Sequence, residues 1–152
     1  MKKLGMLSLL GLFALATGCS GNNIKTSNMS GEVYGNNYEV QIIQDAETRE
    51  SYLDAVTGWM DQNGYKYEVD AEGTKHDNEK VTVEYIGRWH WDLATYMSYS
   101  QMTGFNDGGS IGTVSFSAGN LPSKFGSAEK RIQLMLDVLF GRKTVAEAEA
   151  EL

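Results

Sequence analysis

The stretch from 128 to 140 constrains the fold most. Ile132, Leu134, Met135, Leu136, Val138, Leu139 and Phe140 fall at helical positions but cover far more than one stripe. A helix apolar on more than one side must be buried on more than one side. The economical solution packs it on a sheet and beside a second helix. Ser127 precedes it as an N-cap, and Gly141 ends it.

The rest of the chain supplies those partners. Tyr38, Val40 and Ile42 alternate with Glu39 and Gln41, the period of a half-buried strand. Asp45 then offers an N-cap for a helix over 46–63, with Tyr52, Leu53, Val56, Trp59 and Met60 at helical spacing and Gly64 as a left-handed cap. Tyr65, Tyr67 and Val69 predict a second strand. Residues 71–80 form a polar loop. Val81, Val83 and Tyr85 predict a third strand, and Trp89, Trp91, Leu93, Met97 and Tyr99 a long fourth, with Gly87 as a turn or kink between them. Asn106-Asp107-Gly108-Gly109 is a turn, since it supplies residues tolerant of positive φ. Val114, Phe116 and Ala118 predict a fifth strand. A loop with the chain's one proline, Pro122, leads into the helix at 128. Thr144-Val145-Ala146-Glu147 has the form of a capping box opening a short acidic tail or helix over 142–152.

The order β-α-β-β-β-β-α, with hairpin-type links late in the chain, predicts an α+β fold. The expected sheet is antiparallel, of four to five strands, with two helices on one face. The folded domain is expected over 38–141.

A single cysteine, Cys19, serves the whole chain, so no disulfide within it supports this core. Its surroundings explain it. Met1-Lys2-Lys3 is a basic start, and an apolar run follows from Leu4 to Ala16, too short for a spanning helix of roughly 20 residues. Leu15-Ala16-Thr17-Gly18-Cys19 closes the run with small residues before the cysteine. Residues 1–20 resemble the lipobox signal of bacterial lipoprotein precursors, with Ala16 where that family more often has leucine. The resemblance implies removal of 1–18 and lipid on Cys19, including palmitate-type acyl chains, which anchor stably when two or three are present. Ser20 follows the cysteine. An aspartate there would imply retention at the inner membrane, so the resemblance implies the outer membrane. No functional family is recognised for the folded part.

Residues 20–31 are rich in Ser, Asn, Gly and Thr and read as a flexible tether, reaching to Asn37. As a coil it would reach roughly 20–25 Å. Removal of 1–18 takes away Lys2 and Lys3 and no acid, so the formal net charge falls from −7 to −9 over the remaining 134 residues. Such a chain repels phosphate backbones, which argues against nucleic acid, and gains nothing from anionic headgroups.

Arg88-Trp89-His90-Trp91-Asp92 is the most suggestive cluster. In a strand Trp89 and Trp91 face one way and Arg88, His90 and Asp92 the other. With Tyr96 and Ser98 these polar residues make a candidate binding surface, a composition suited to adaptable contacts. The commoner alternative is a solvated strand face backed by buried tryptophans. Asp92 could orient His90 as in general-base catalysis, but no motif supplies a nucleophile. His76, Asp77 and His90 lack zinc or calcium spacing, so no metal is expected, and no motif calls for a cofactor.

The expected function is therefore a lipid-anchored binding or accessory protein of the envelope, holding an envelope protein or glycan without catalysis. Two alternatives stay open. An inhibitor or immunity lipoprotein would use its acidity against a basic enzyme or toxin. An envelope hydrolase would use His90 and Asp92. The first reading requires an exposed aromatic patch without a deep pocket, the second a protruding loop rimmed by carboxylates, and the third a concave pocket at His90.

Overall fold

A computed structural model describes residues 23–30, 37–119 and 125–152. The signal segment, Cys19 and Pro122 lie outside the described residues. The elements run β1 (Ile24–Ser27), β2 (Glu39–Ile43), α1 (Glu50–Asn63), β3 (Lys66–Asp70), β4 (Val81–Asp92), β5 (Ala94–Asn106), β6 (Gly109–Ser117), α2 (Ala128–Leu139) and α3 (Val145–Ala150). Six strands form one sheet in the order β1-β6-β5-β4-β2-β3.

The α+β class stands, but the sheet is mixed. β2 runs parallel to both of its neighbours, β3 and β4, and the other pairs are antiparallel. The reason is the crossovers. α1 carries the chain back so that β3 starts level with β2, as in any β-α-β unit. The loop 71–80 then carries it back again before β4. That loop covers the second face of β2, which is why Gln41 and Ile43 are buried as well as Val40 and Ile42.

Gln41 holds the loop in place. Its amide nitrogen donates to the Asp70 carboxylate at 2.7 Å and to the Lys75 carbonyl at 3.1 Å. Its amide oxygen accepts from the Asp77 N–H at 2.9 Å and the Thr82 hydroxyl at 2.8 Å. Every polar atom of a buried amide is thereby satisfied.

Both long helices pack against each other, and α2 also lies on β5 and β6. α1 buries Tyr52, Ala55, Val56, Trp59 and Met60, and α2 buries Ile132, Leu134, Met135, Leu136, Val138 and Leu139. The two-sided burial expected of the 128–140 segment is thus realised. Trp59 sits between the helices, stacked on Tyr65 at 5.4 Å and near Phe140 at 5.1 Å, and its indole N–H donates to Asp137 at 2.9 Å.

Local capping chemistry operates at several ends. The Ser127 hydroxyl accepts from the Lys130 N–H, and Gly64 caps α1 at φ 74°. Thr144 and Glu147 form the reciprocal capping box. α1 starts later than expected, with Arg49 and not Asp45 as its N-cap. Asp45 instead accepts from the Thr48 hydroxyl at 2.6 Å, closing a turn ahead of the helix.

Two further expectations are corrected. Residues 24–27 lie in the stretch read as a tether, yet they pair with β6 as an edge strand. An edge strand needs one buried anchor, and Ile24 supplies it while Lys25, Thr26 and Ser27 stay exposed. The Ile24 N–H donates to the Glu149 carboxylate, so α3 clips this edge down. Gly87 is likewise no turn. It lies within β4 opposite Ser100, and a Cβ there would come within 2.8 Å of both the Tyr52 and Trp89 rings. Glycine is needed for that close approach, and the chain reverses at Leu93 instead.

Candidate functional site: the hairpin arm

β4 and β5 outgrow their neighbours. β2 pairs with β4 only as far as Glu84, and β6 pairs with β5 from Tyr99 onward. Beyond those points the two strands continue as a ribbon, paired Trp89–Met97, His90–Tyr96, Trp91–Thr95 and Asp92–Ala94. This arm carries all five residues of the candidate surface.

The base of the arm is fixed to the body. The Gly87 N–H donates to the Thr48 hydroxyl at 2.8 Å. Arg88 meets Asp45 at 3.1 Å and Glu47 at 3.8 Å, and also donates to the Gly87 carbonyl at 3.0 Å. Trp89 lies edge-on to Tyr52 at 6.2 Å, with the Arg49 guanidinium over its ring at 5.2 Å. Tyr52 in turn stacks on Tyr85 at 4.4 Å. A register shift follows Arg88, where Ser98 is the extra residue, and the Ser98 hydroxyl donates to the Arg88 carbonyl at 3.1 Å.

Farther out, the His90 and Tyr96 rings are neighbours, tilted by 59° with centroids 6.5 Å apart, and Tyr96 meets Phe125 edge-on at 5.6 Å. His90 and Asp92 are exposed. The tryptophans do not behave alike. Trp89 is half-buried as expected, whereas Trp91 is 75% exposed and Leu93, at the turn, 87%. Among the described residues no helix extends beneath Trp91, because α1 begins at the level of Gly87 and runs away from the arm. Alternation along the strand could place both rings on one face, but it could not reveal where the covering layer stops.

A cleft of about 360 Å³ opens on the face away from the helices, beneath the 71–80 loop. Ile43, Ile86 and Tyr85 supply its apolar walls, and Asp45, Glu72, Glu84, Gln101 and Thr103 its polar ones. Glu84 is engaged by His76 at 2.8 Å, and His76 also packs on Phe105 at 4.3 Å. No sequence motif marks this cleft, since only the folded loop brings Glu72 over Glu84. A second cleft lies between Trp89 and the helix starts, lined by Ser51, Asp54, Glu129 and Ile132. His90 lines neither cleft. Among the described residues no group of three His, Cys, Asp or Glu side chains is placed to hold a metal ion. Among them too, no helix is long and apolar enough to cross a membrane.

The chain matches no protein-family model and no curated protein. Among solved structures it is similar to a minor lipoprotein from Acinetobacter baumannii, at 11% identity and a TM-score of 0.29, over 79% of this chain and 95% of that one. A likeness of that size leaves function to be argued from this chain's own residues.

Proposed function

We propose that the chain is a non-catalytic binding protein of the bacterial envelope, held at the outer membrane by acyl chains on Cys19. Its contact surface for an envelope protein or glycan is the flank of the arm, Arg88, His90, Asp92, Tyr96 and Ser98. The supporting observation is a rigidly rooted ribbon that carries His90 away from both clefts and exposes large side chains at its end. Such a projection suits contact with a surface and does not enclose a small substrate. That His90 lines neither of the two clefts described supports a binding role for it over a catalytic one.

The anchor is tested by Cys19→Ser and cell fractionation. The variant should keep its uncut size and be lost from the outer-membrane fraction. Should it still sediment with envelopes at the mature size, the anchored reading fails. The contact surface is tested with His90→Ala/Asp92→Ala in capture from envelope extracts. Capture should be lost with stability changed by no more than about 0.5 kcal/mol, as for exposed positions. A larger loss would make these side chains structural.

A second reading draws on the cleft. Glu72, Asp45 and Glu84 line one cleft, and with Asp45 held by Arg88 and Glu84 by His76, Glu72 is the carboxylate there suited to the basic group of an inhibited enzyme. Glu72→Gln would then weaken capture of a basic partner at low salt, while the arm variants would not.

A further inference from the structure

The geometry points to a second membrane contact: Trp91 and Leu93, at the tip of the arm, seat in the headgroup region of the bilayer that takes the acyl chains on Cys19. The inference deepens the anchored reading above and rests on it.

Two lengths carry it. The carbonyl of Asn23 accepts from the Ser117 N–H at 3.0 Å, and Ser117 is the register partner of Tyr99. Asn23, Ser117 and Tyr99 thus form one row across the sheet, and the chain enters β1 at the end from which the arm projects. Four Cα steps separate Asn23 from Cys19, so the lipid-bearing residue lies within about 14 Å of that row, however the chain runs. Past the same row, Ser98 is bulged out of register and four paired steps, Trp89 to Asp92 on β4, carry the arm about 13 Å at the rise of a strand, with the Leu93 turn beyond them. The arm with its turn is therefore about as long as the drawn-out tether. A bilayer that holds the acyl chains at that end of the sheet lies within reach of the arm tip.

The chemistry of the tip fits that surface. Trp91 and Leu93 are the two most exposed large hydrophobic side chains among the described residues, at 75% and 87%. Tryptophan favours membrane interfaces because its ring is amphipathic. Leu93 is held at φ 61°, a conformation that a leucine rarely adopts and that asparagine or glycine would accept at lower cost. A large apolar residue in that position is displayed outward despite the local cost. Arg88 is already engaged by Asp45 and Glu47, and the tip adds the acidic Asp92, so apolar seating and not charge attraction draws it in. Two side chains bind a bilayer weakly by themselves, but the acyl anchor keeps them at high local concentration. Two contacts, at Cys19 and at the tip, would stand the sheet on end and hold the His90–Tyr96 flank at headgroup level.

The test uses the full lipidated protein in vesicles of phosphatidylethanolamine and phosphatidylglycerol, with and without brominated acyl chains. The difference in emission between wild type and Trp91→Phe isolates Trp91. That component should lose about half its intensity or more to the brominated lipid, as expected for a ring at the interface. It should also be blue-shifted relative to Cys19→Ser free in solution. If mass measurement finds acyl chains on Cys19 and the Trp91 component is unquenched, the tip stays in water and the inference fails alone. A Trp91 signal that shifts only on adding envelope proteins assigns the tip to a protein, and the inference again fails alone. If Cys19 carries no acyl chain, the anchored reading and this inference fall together.

Discussion

Tyr52 and Ser100 are joined by a hydrogen bond of 2.5 Å between Oη and Oγ, with both side chains fully buried. The bond ties α1 to β5 one residue short of the row from which the arm departs. Ser100→Ala removes the partner and leaves the tyrosine hydroxyl buried and unsatisfied, at a cost of about 1–3 kcal/mol. Adding Tyr52→Phe should return part of that loss, because no orphaned hydroxyl then remains. Urea unfolding of the two single variants and the double variant measures the coupling. Simple additivity would show that the bond contributes nothing specific.

Gln41 has four partners, so its loss should be felt in the loop. Gln41→Leu keeps the volume but orphans the Thr82 hydroxyl and the Asp77 N–H. The expected cost is about 2–4 kcal/mol, from two such groups near a partly covered surface. Amide exchange should quicken in 71–80 more than in α2. Uniform quickening would mean that the loop is not held by this side chain.

Alkaline pH should unfold the protein through its buried phenols. Burial raises the Tyr85 hydroxyl to about 12, with the Asp45 carboxylate adding to the effect, and burial pushes Tyr52 up as well. A folded pKa above the ordinary value of 10 stabilises fully below pH 10, and that stability is lost as pH climbs from 10 towards 12. Lys80 acts in the same sense, since its hydrogen bond with Glu68 raises its pKa. Tyrosinate absorbance should rise in two stages, the exposed phenols first and the buried ones together with loss of tertiary structure. Tyr85→Phe should flatten the decline above pH 10. A single smooth titration with the fold intact would contradict this.

The Ile24–Glu149 contact predicts a local effect. Glu149→Ala should leave global unfolding nearly unchanged but loosen β1, because among the described residues β1 pairs with β6 alone. Loss of about 1 kcal/mol of local stability should speed amide exchange at Lys25 to Ser27 roughly fivefold. Since Asn23 sets the start of the tether, the same variant should also weaken lipid quenching of Trp91.

The hydrophobic period made both long helices and most strands legible. Capping chemistry marked Ser127, Gly64 and the Thr144–Glu147 box, because those signals are local. The alternation of Arg88, His90 and Asp92 along one strand was also legible, since it needs only the period of two, whereas the pairing of His90 with Tyr96 was not. What escaped depends on neighbours distant in sequence. β1 hid in a polar segment because an edge strand needs a single buried residue. The hairpin at Leu93 carries no glycine, asparagine or proline in its turn, and Gly87 imitated one while serving ring packing.

By itself the sequence determined the α+β class, the two-sided burial of α2 and the helix caps, since each follows from residue spacing within one turn or strand. Tertiary structure alone decided that β2 lies parallel between two neighbours and that Gln41 is covered by the 71–80 loop. It also decided that Trp89 packs against the body while Trp91 is left uncovered by the fold. The physical reason is common to all three. Periodicity tells which side of an element is apolar, but burial depends on what reaches that side, and that is set by contacts across the fold.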